Sequence, residues 1–199
     1  MFDYIERFYK AKRRHSPENM NWPQGTIFTV GHSTRTLDEF IPLLESYGIE
    51  CLVDIRTVPR SRHNPQFNGD TLREALKPHG IEYAPLRALG GLRRARQDSN
   101  TGWRNTSFRG YADYMQTKEF AHGLDQLIAL SRQQCTAIMC AEAVPWRCHR
   151  SLVADALSVR GIAVVEIFSA TDYRDHKLTP FAHVEGTSIT YPPAQPALL

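Results

Sequence analysis

The sequence contains no hydrophobic run near the roughly 20 residues that a membrane-spanning helix requires. Its opening residues, MFDYIERFYK, carry charged side chains where a secretion signal needs an apolar core. Cysteine is scarce too, with four residues in a chain of 199, and a domain of that length needs no disulfide framework. These absences predict a cytoplasmic protein with reduced thiols and no membrane partner.

Lysine is the other scarce residue, since five of the 24 basic residues are lysine and 19 are arginine. Arginine is preferred for planar, bidentate contacts with phosphate or carboxylate, which favours an anionic partner. A GC-rich genome would produce the same bias through its codons. The net charge of +3 is too small to indicate a nucleic-acid or membrane role by itself.

Composition divides the chain into three parts. Residues 1–25 form a basic N-terminal extension and linker, in which IERFYKAKRR is expected to be helical. That helix would either cap the domain or lie against a partner or nucleic acid. Residues 26–170 have the pattern of a single α/β domain, and residues 171–199 are predicted to be an irregular, proline-rich tail.

Short apolar runs alternate with helical patterns through the central part of the chain. The apolar, β-branched runs predict strands at residues 26–30, 49–55, 81–86, 135–140 and 162–168. Amphipathic spacing predicts helices at residues 36–47, 70–79, 111–133 and 151–160.

Three of these helices end in Gly followed by Ile, at Gly48, Gly80 and Gly161. Glycine supplies the left-handed residue that closes a helix, and the isoleucine then enters a strand. Repeated units of this kind are what a parallel sheet needs, because each crossover between parallel strands requires a helix. We therefore predict a Rossmann-like, three-layer α/β sandwich with a mostly parallel sheet of about five strands.

The densest reactive chemistry lies in the sequence AIMCAEAVPWRCHRSLVADALSVR, residues 137–160. In parallel α/β sheets, ligands bind at the carboxyl ends of the strands, and Cys140 ends a predicted strand. Cys148 opens the following helix, whose positive dipole end and nearby arginines favour a thiolate. We predict Cys140 or Cys148 as the nucleophile and Glu142 or His149 as the proton shuttle. The alternative for Cys140 is a small buried packing residue.

The other loops at the same edge supply candidates for binding an anion. Gly31 is followed by residues whose backbone N–H and hydroxyl groups suit an anion, although the same residues would make an ordinary helix cap. Asp54 and Arg56 are expected on one face, as an ion pair or with Asp54 as a general base. The predicted anion-binding residues are His32, Ser33, Thr34, Arg35, Asp54, Arg56, Arg62, Arg147 and Arg150.

A metal site is the competing prediction for the same cluster. Cys140, Cys148 and His149, with a distant His32 or His63, would offer sulfur and nitrogen ligands to zinc. The two thiols lie eight positions apart, which matches no close-spaced pair such as C-x-x-C. We therefore predict no resident cofactor and keep zinc as the alternative.

With these residues in view, the chain resembles the domain-of-unknown-function 488 family between residues 26 and 168. The resemblance implies an intracellular, bacterial-type α/β domain with no established reaction. A looser similarity, to rhodanese and cysteine-phosphatase loops, is limited to the fold, because the loop here is longer and contains Pro145 and Trp146. The matching family pieces are GHST (31–34), Phe40, LVDIR (52–56), Pro59, Ser61-Arg62, Pro65, Phe67, LGG (89–91), Phe108, Gly110-Tyr111, MCAE (139–142), Pro145 and CHR (148–150).

Three functions follow from the sequence. The first is a cysteine-dependent transferase or hydrolase with an arginine-lined pocket, acting on a phosphorylated or nucleic-acid-related substrate. The second is a non-catalytic nucleic-acid-binding module, in which Trp103, Phe67 or Trp146 stacks on bases. The third is a domain with a structural zinc site. The predicted partner is accordingly an anionic small molecule or a nucleic acid.

Overall fold

The computed structural model describes residues 22–95 and 100–193, so the predicted N-terminal helix lies outside the described residues. The centre of the fold is a six-stranded sheet. Its strands in chain order are β1 (Ile27–Gly31), β2 (Cys51–Asp54), β3 (Glu82–Pro85), β4 (Thr136–Cys140), β5 (Val164–Ile167) and β6 (Tyr173–Asp175). In space they follow the order β3-β2-β4-β1-β5-β6.

The first five strands are parallel, and the antiparallel β6 pairs with β5 at one edge. All five predicted strands are therefore confirmed, each within two residues at either end. The left-handed glycines are confirmed as well, with φ of 64° at Gly48, 69° at Gly80 and 75° at Gly161.

Within residues 22–95 and 100–193 there are five α-helices: α1 (Leu37–Glu45), α2 (Gly69–Leu76), α3 (Thr106–Tyr114), α4 (Lys118–Ser131) and α5 (Arg150–Ser158). The helical region predicted over residues 111–133 consists of two helices, α3 and α4, and α3 begins earlier, at Thr106. Thr117 explains the break, since its hydroxyl accepts the backbone N–H of Phe120 and so begins a new helix. None of the described helices is long and apolar enough to cross a membrane.

The helices cover both faces of the sheet, which confirms the three-layer α/β prediction. On one face α1 and α2 bury residues such as Phe40 and Leu72 against Phe28. On the other face α3, α4 and α5 pack residues such as Leu124 and Leu152 against the sheet. Burial of these apolar side chains is the main stabilising contribution to the fold.

The arrangement of the central strands positions the candidate site. The helices that follow the neighbouring strands β1 and β4 lie on opposite faces of the sheet. Between such strands a crevice opens at their carboxyl ends, which is where ligands bind in α/β proteins. Gly31 and Cys140 are register partners at this point, so the crevice opens directly beside Cys140.

The segment after residue 170 differs from the irregular tail that the sequence predicted. It adds β6 to the sheet and forms a hairpin of β7 (His183–Glu185) and β8 (Ser188–Thr190). Tyr191 is fully buried, and its hydroxyl donates to Asp155 of α5. These contacts come from residues far apart in sequence, so local composition did not reveal them.

His176 joins this segment to the domain. Its Nε2 lies 2.8 Å from Asp155 Oδ1 and its Nδ1 lies 2.8 Å from Glu166 Oε1, so both nitrogens face carboxylates. Burial alone would lower the pKa of His176, but the hydrogen bonds to Asp155 and Glu166 raise the pKa to about 9.

The free energy of unfolding should therefore depend on the charge of His176. Because the folded pKa lies above the unfolded value near 6.5, this contribution is complete below pH 6.5 and disappears as pH rises through about 9. Urea unfolding between pH 6 and 10 should show wild type losing stability relative to a His176→Gln variant. A constant difference between the two proteins across this range would contradict the expectation.

Candidate active site

Three predicted residues converge at the carboxyl end of β4. The Nδ1 atom of His149 lies 3.6 Å from the Sγ of Cys148 and 3.9 Å from the Sγ of Cys140. All three atoms lie within 4.8 Å of one another. Cys140 ends β4 and Cys148 precedes α5, so the strand-to-helix loop brings the two thiols together.

The orientation of the His149 ring is set by the backbone of the neighbouring strand. Its Nε2 lies 3.1 Å from the carbonyl oxygen of Ile55. Because a carbonyl only accepts hydrogen bonds, Nε2 carries a proton, and Nδ1 is the nitrogen that exchanges a proton with the thiols. This is the arrangement of a Cys–His pair in which the base is held by a third group.

The two thiols titrate as a coupled pair. The neighbouring Cys148 thiol lowers the pKa of Cys140 well below its usual value, against the effect of burial. His149 and Arg150 lower the pKa of Cys140 further. Cys140 in turn raises the pKa of Cys148 well above its usual value, so the first proton leaves the pair easily and the second is retained.

Arg150 is 1% exposed, the largest fully buried side chain in the described part of the chain, and its backbone N–H donates to the Sγ of Cys148 at 3.4 Å. Its Nη2 donates to the carbonyl of Ala143 at 3.3 Å, whereas Nε and Nη1 have no hydrogen-bond partner among the described residues. Burial lowers the pKa of Arg150, and the charges of Cys148 and Cys140 act in the opposite direction. A thiolate at this pair would add to the carboxylates of Glu166 and Glu142 in balancing the buried cation, since a buried charge without a counter-charge is costly.

The pair opens into a cleft of about 430 Å³. Its walls include Arg56, Glu142 and Arg147, of which Glu142 and Arg147 are exposed. Glu142 lies outside the close cluster of the thiols and His149, so His149 is the residue placed for proton transfer to sulfur. Of the two proton shuttles that the sequence suggested, the geometry favours His149.

The sequence missed several residues of this cleft. Gly91 leaves room for the His149 ring, because a Cβ there would lie 2.9 Å from Nδ1. The Tyr111 ring lies 4.9 Å from the imidazole, and its hydroxyl donates to Leu89 O at 2.7 Å. Both residues lie in pieces of the family resemblance, LGG (89–91) and Gly110-Tyr111, although neither was predicted as a site residue.

Backbone strain also concentrates at this edge. Ser33 and Leu92 are the non-glycine residues with positive φ in the described part, at 52° and 58°. Leu92 lines the cleft and is 82% exposed, although it is a large apolar residue. Strained backbone and exposed apolar side chains are both more common at functional sites than elsewhere on a protein.

Asp54 and Arg56 form the predicted ion pair. The guanidinium contacts both carboxylate oxygens of Asp54, and its Nη2 also donates to the carbonyl of Phe67 at 2.7 Å. Tyr83 donates its hydroxyl to Asp54 at 2.7 Å. These protein contacts favour a structural role for Asp54 over the predicted anion-binding or general-base role.

His32 and Arg35 are likewise engaged by the protein. His32 donates Nδ1–H to Ser33 O at 2.9 Å, and its Nε2 accepts from Arg56 at 3.2 Å. That pattern requires a neutral ring, in agreement with burial, which lowers the pKa of His32. Arg35 donates to the carbonyls of Gly31 and Phe168. Both residues have partners within the protein, and His32 also lines a cleft beside Ser33 and Thr34, so the contact with an anion stays a prediction.

The remaining candidates divide between the site and the surface. Ser33 and Thr34 line a separate cleft of about 350 Å³ on the other side of Glu142. Arg62 is exposed and lines neither cleft. The predicted zinc ligands His32 and His63 also lie outside the cluster, which consists of Cys140, Cys148 and His149.

Comparison with known proteins gives one finding. A family model described as "Domain of unknown function DUF488" matches residues 36–157, which is more than half of the chain. The matched span contains both thiols and His149 and begins after β1, so it is shorter than the resemblance noted from the sequence. No curated protein and no solved structure matches the chain.

Proposed function

The chain belongs to the DUF488 family, whose description names no function, and we propose that it is an enzyme with a Cys140 thiolate as nucleophile. The observation that carries this proposal is the convergence of Cys140, Cys148 and His149 at one cleft. Ionisation of Cys140 is supported by three neighbours: the Cys148 thiol, His149 and the buried Arg150. We expect the enzyme to work in the cytoplasm, where its thiols stay reduced.

The proposed reaction is group transfer from a phosphorylated or nucleic-acid-related substrate. The Cys140 sulfur attacks the phosphorus, forming an S–P bond while the bond from phosphorus to the leaving oxygen breaks. His149, as imidazolium, gives its Nδ1 proton to that oxygen. Water or an acceptor hydroxyl then attacks the phosphorus, His149 takes the proton, and the Cys140 thiolate is released.

The cations of the cleft suit an anionic substrate. Arg147 is exposed in the wall of the cleft, and the buried Arg150 interacts electrostatically with both thiols. Arginine at the rim binds the phosphate oxygens in the ground state, and the buried cation stabilises charge close to sulfur. Glu142, exposed on the same wall, accepts hydrogen bonds from the rest of the substrate.

Alkylation by iodoacetamide at pH 6, followed by peptide mass spectrometry, tests the proposal. Cys140 should react at least about 10-fold faster than the other three cysteines, because only thiolates react. Burial raises the pKa of Cys51 to about 12 and of Cys135 to about 11, so these two serve as internal controls. Slow and uniform alkylation of all four cysteines would overturn the proposal.

Zinc binding is the second candidate, and one observation favours it. His149 directs Nδ1 at both sulfurs while Nε2 donates to Ile55 O, which is how a zinc-bound histidine is usually oriented. Two cysteines and one histidine leave the fourth position of a tetrahedral zinc open. Metal analysis of the purified protein decides between the candidates: about one equivalent supports zinc, and less than about a tenth excludes it.

A further inference from the structure

A second groove, of about 620 Å³, adjoins the cysteine cleft. We call it the aromatic groove, because four aromatic residues line it together with two arginines: Trp103, Phe108, Trp146, Phe181, Arg104 and Arg147. It shares Phe108, Glu142 and Arg147 with the cysteine cleft. A single ligand therefore has room to occupy both.

The two tryptophans of the groove differ in how their rings are packed and exposed. Trp103 is held in a cluster, with ring centroids 4.7 Å from Phe108 and 4.9 Å from Phe181. Trp146 is 48% exposed, and the Arg174 guanidinium lies 5.0 Å from its ring. An indole that is fixed by neighbours yet open to solvent offers a preformed surface for stacking.

The charges of the groove complement a phosphate chain. Arg104 and Arg147 are both exposed there, and Glu142 is the one carboxylate among the lining residues. Arginines bind phosphate oxygens, and a carboxylate accepts hydrogen bonds from the N–H groups of a base, such as N3–H of thymine. Aromatic faces interleaved with arginines are the means by which proteins hold single-stranded nucleic acids.

The carboxyl edge continues beyond the cysteine cleft. On the far side of Ala141 and Glu142 lies the third cleft, of about 350 Å³, which includes Arg60, Ser61 and Asn64. The aromatic groove, the cysteine cleft and this third cleft adjoin one another, because Glu142 lines all three, and each contains an arginine. Arginines in three adjoining clefts suit a ligand with repeated phosphates better than a single nucleotide.

We propose that the aromatic groove binds a base of single-stranded nucleic acid, stacked on Trp146, with the adjoining phosphate directed to the cysteine cleft. The inference rests on the proposed function and narrows its substrate class to a nucleic acid strand. In the proposed complex the indole of Trp146 stacks on the base, and the neighbouring arginines bind the phosphates.

Fluorescence anisotropy with a labelled 12-nucleotide oligo-dT tests the inference on the full chain. A Trp146→Ala variant should bind about 10-fold more weakly than wild type, because stacking on an aromatic ring provides much of the affinity. A Val184→Ala variant, in which an exposed apolar residue outside the groove is shortened, should bind as wild type does. Thermal unfolding of both variants confirms that they are folded.

Each other outcome has a definite reading. Equal binding by Trp146→Ala and wild type, or no binding of oligo-dT by wild type, would overturn the inference. Free dTMP, at the same total phosphate concentration, should displace the labelled oligo-dT only weakly. If dTMP displaces it as well as unlabelled oligo-dT does, the ligand is a mononucleotide and the proposed single-stranded nucleic acid is wrong. If oligo-dT binds but Cys140 is not alkylated quickly, the groove is a nucleic-acid-binding site on a non-catalytic protein, and the proposed enzyme fails. If Cys140 is alkylated quickly but oligo-dT does not bind, the proposed enzyme stands and the nucleic-acid inference fails.

Discussion

A His149→Gln variant is expected to alkylate at Cys140 about 10- to 100-fold more slowly than wild type at pH 6–7. The imidazole Nδ1 lies 3.9 Å from the Cys140 sulfur and, when protonated, stabilises the thiolate. Glutamine can still donate to the carbonyl of Ile55, but it carries no positive charge. The variant therefore loses the effect by which His149 lowers the pKa of Cys140. Each unit of pKa changes the thiolate fraction about tenfold at pH values below the pKa.

A His63→Gln variant is the matched control for this experiment. His63 is an exposed histidine in the loop after β2 and lies outside the thiol cluster. Its replacement should leave the alkylation rate of Cys140 unchanged. If His149→Gln also reacts at the wild-type rate, His149 has no part in ionising the thiol, and the proposed proton transfer fails.

A Gly31→Ala variant is expected to lose about 3 kcal/mol or more of folding free energy. A Cβ at Gly31 would lie 1.8 Å from the backbone oxygen of Glu142, which no side-chain rotation relieves. The loop that holds the thiols would have to move away from β1, which forms part of the sheet's centre. Urea unfolding, with expression level as a second readout, measures the loss.

Gly48→Ala separates this clash from a general effect of replacing glycine. Gly48 has open space around its Cα but a φ of 64°, so alanine there costs only about 1–2 kcal/mol of backbone strain. Gly31→Ala should be clearly less stable than Gly48→Ala. If the two variants unfold at the same urea concentration, the close approach of β1 to the Glu142 backbone is not as described.

The strands were predictable because each signal is local. A Gly-Ile pair after a helical pattern specifies where the helix ends and the next strand begins, as Gly80 and Gly161 illustrate. The order of the strands was not predictable, since β4 lies between β1 and β2 through contacts that the sequence does not mark. The same holds for β6 and Tyr191, which are fixed by distant partners.

Part of the site was predictable because its signals, like those of the strands, are local in the sequence. Cys140 at a strand end, and Cys148 with His149 at the start of a helix, meet because the loop between them is short. The arginines were harder to assign, because the sequence does not show which of them have partners within the protein. Arg35 donates to Phe168 O, which lies 133 residues away, and composition alone cannot distinguish such a brace from an anion-binding residue.

The most direct test of the account is a titration of thiolate absorbance at 240 nm in the wild-type protein from pH 4 to 10. Cys51 and Cys135 stay protonated over most of this range, and a Cys140→Ser, Cys148→Ser double variant supplies the baseline for the tyrosines, which also absorb at 240 nm when ionised. The difference between the two proteins therefore reports on Cys140 and Cys148. The account predicts one equivalent of thiolate that forms well below pH 9, with the second absent up to pH 10. Two equivalents that form together near the ordinary pKa of cysteine would contradict it.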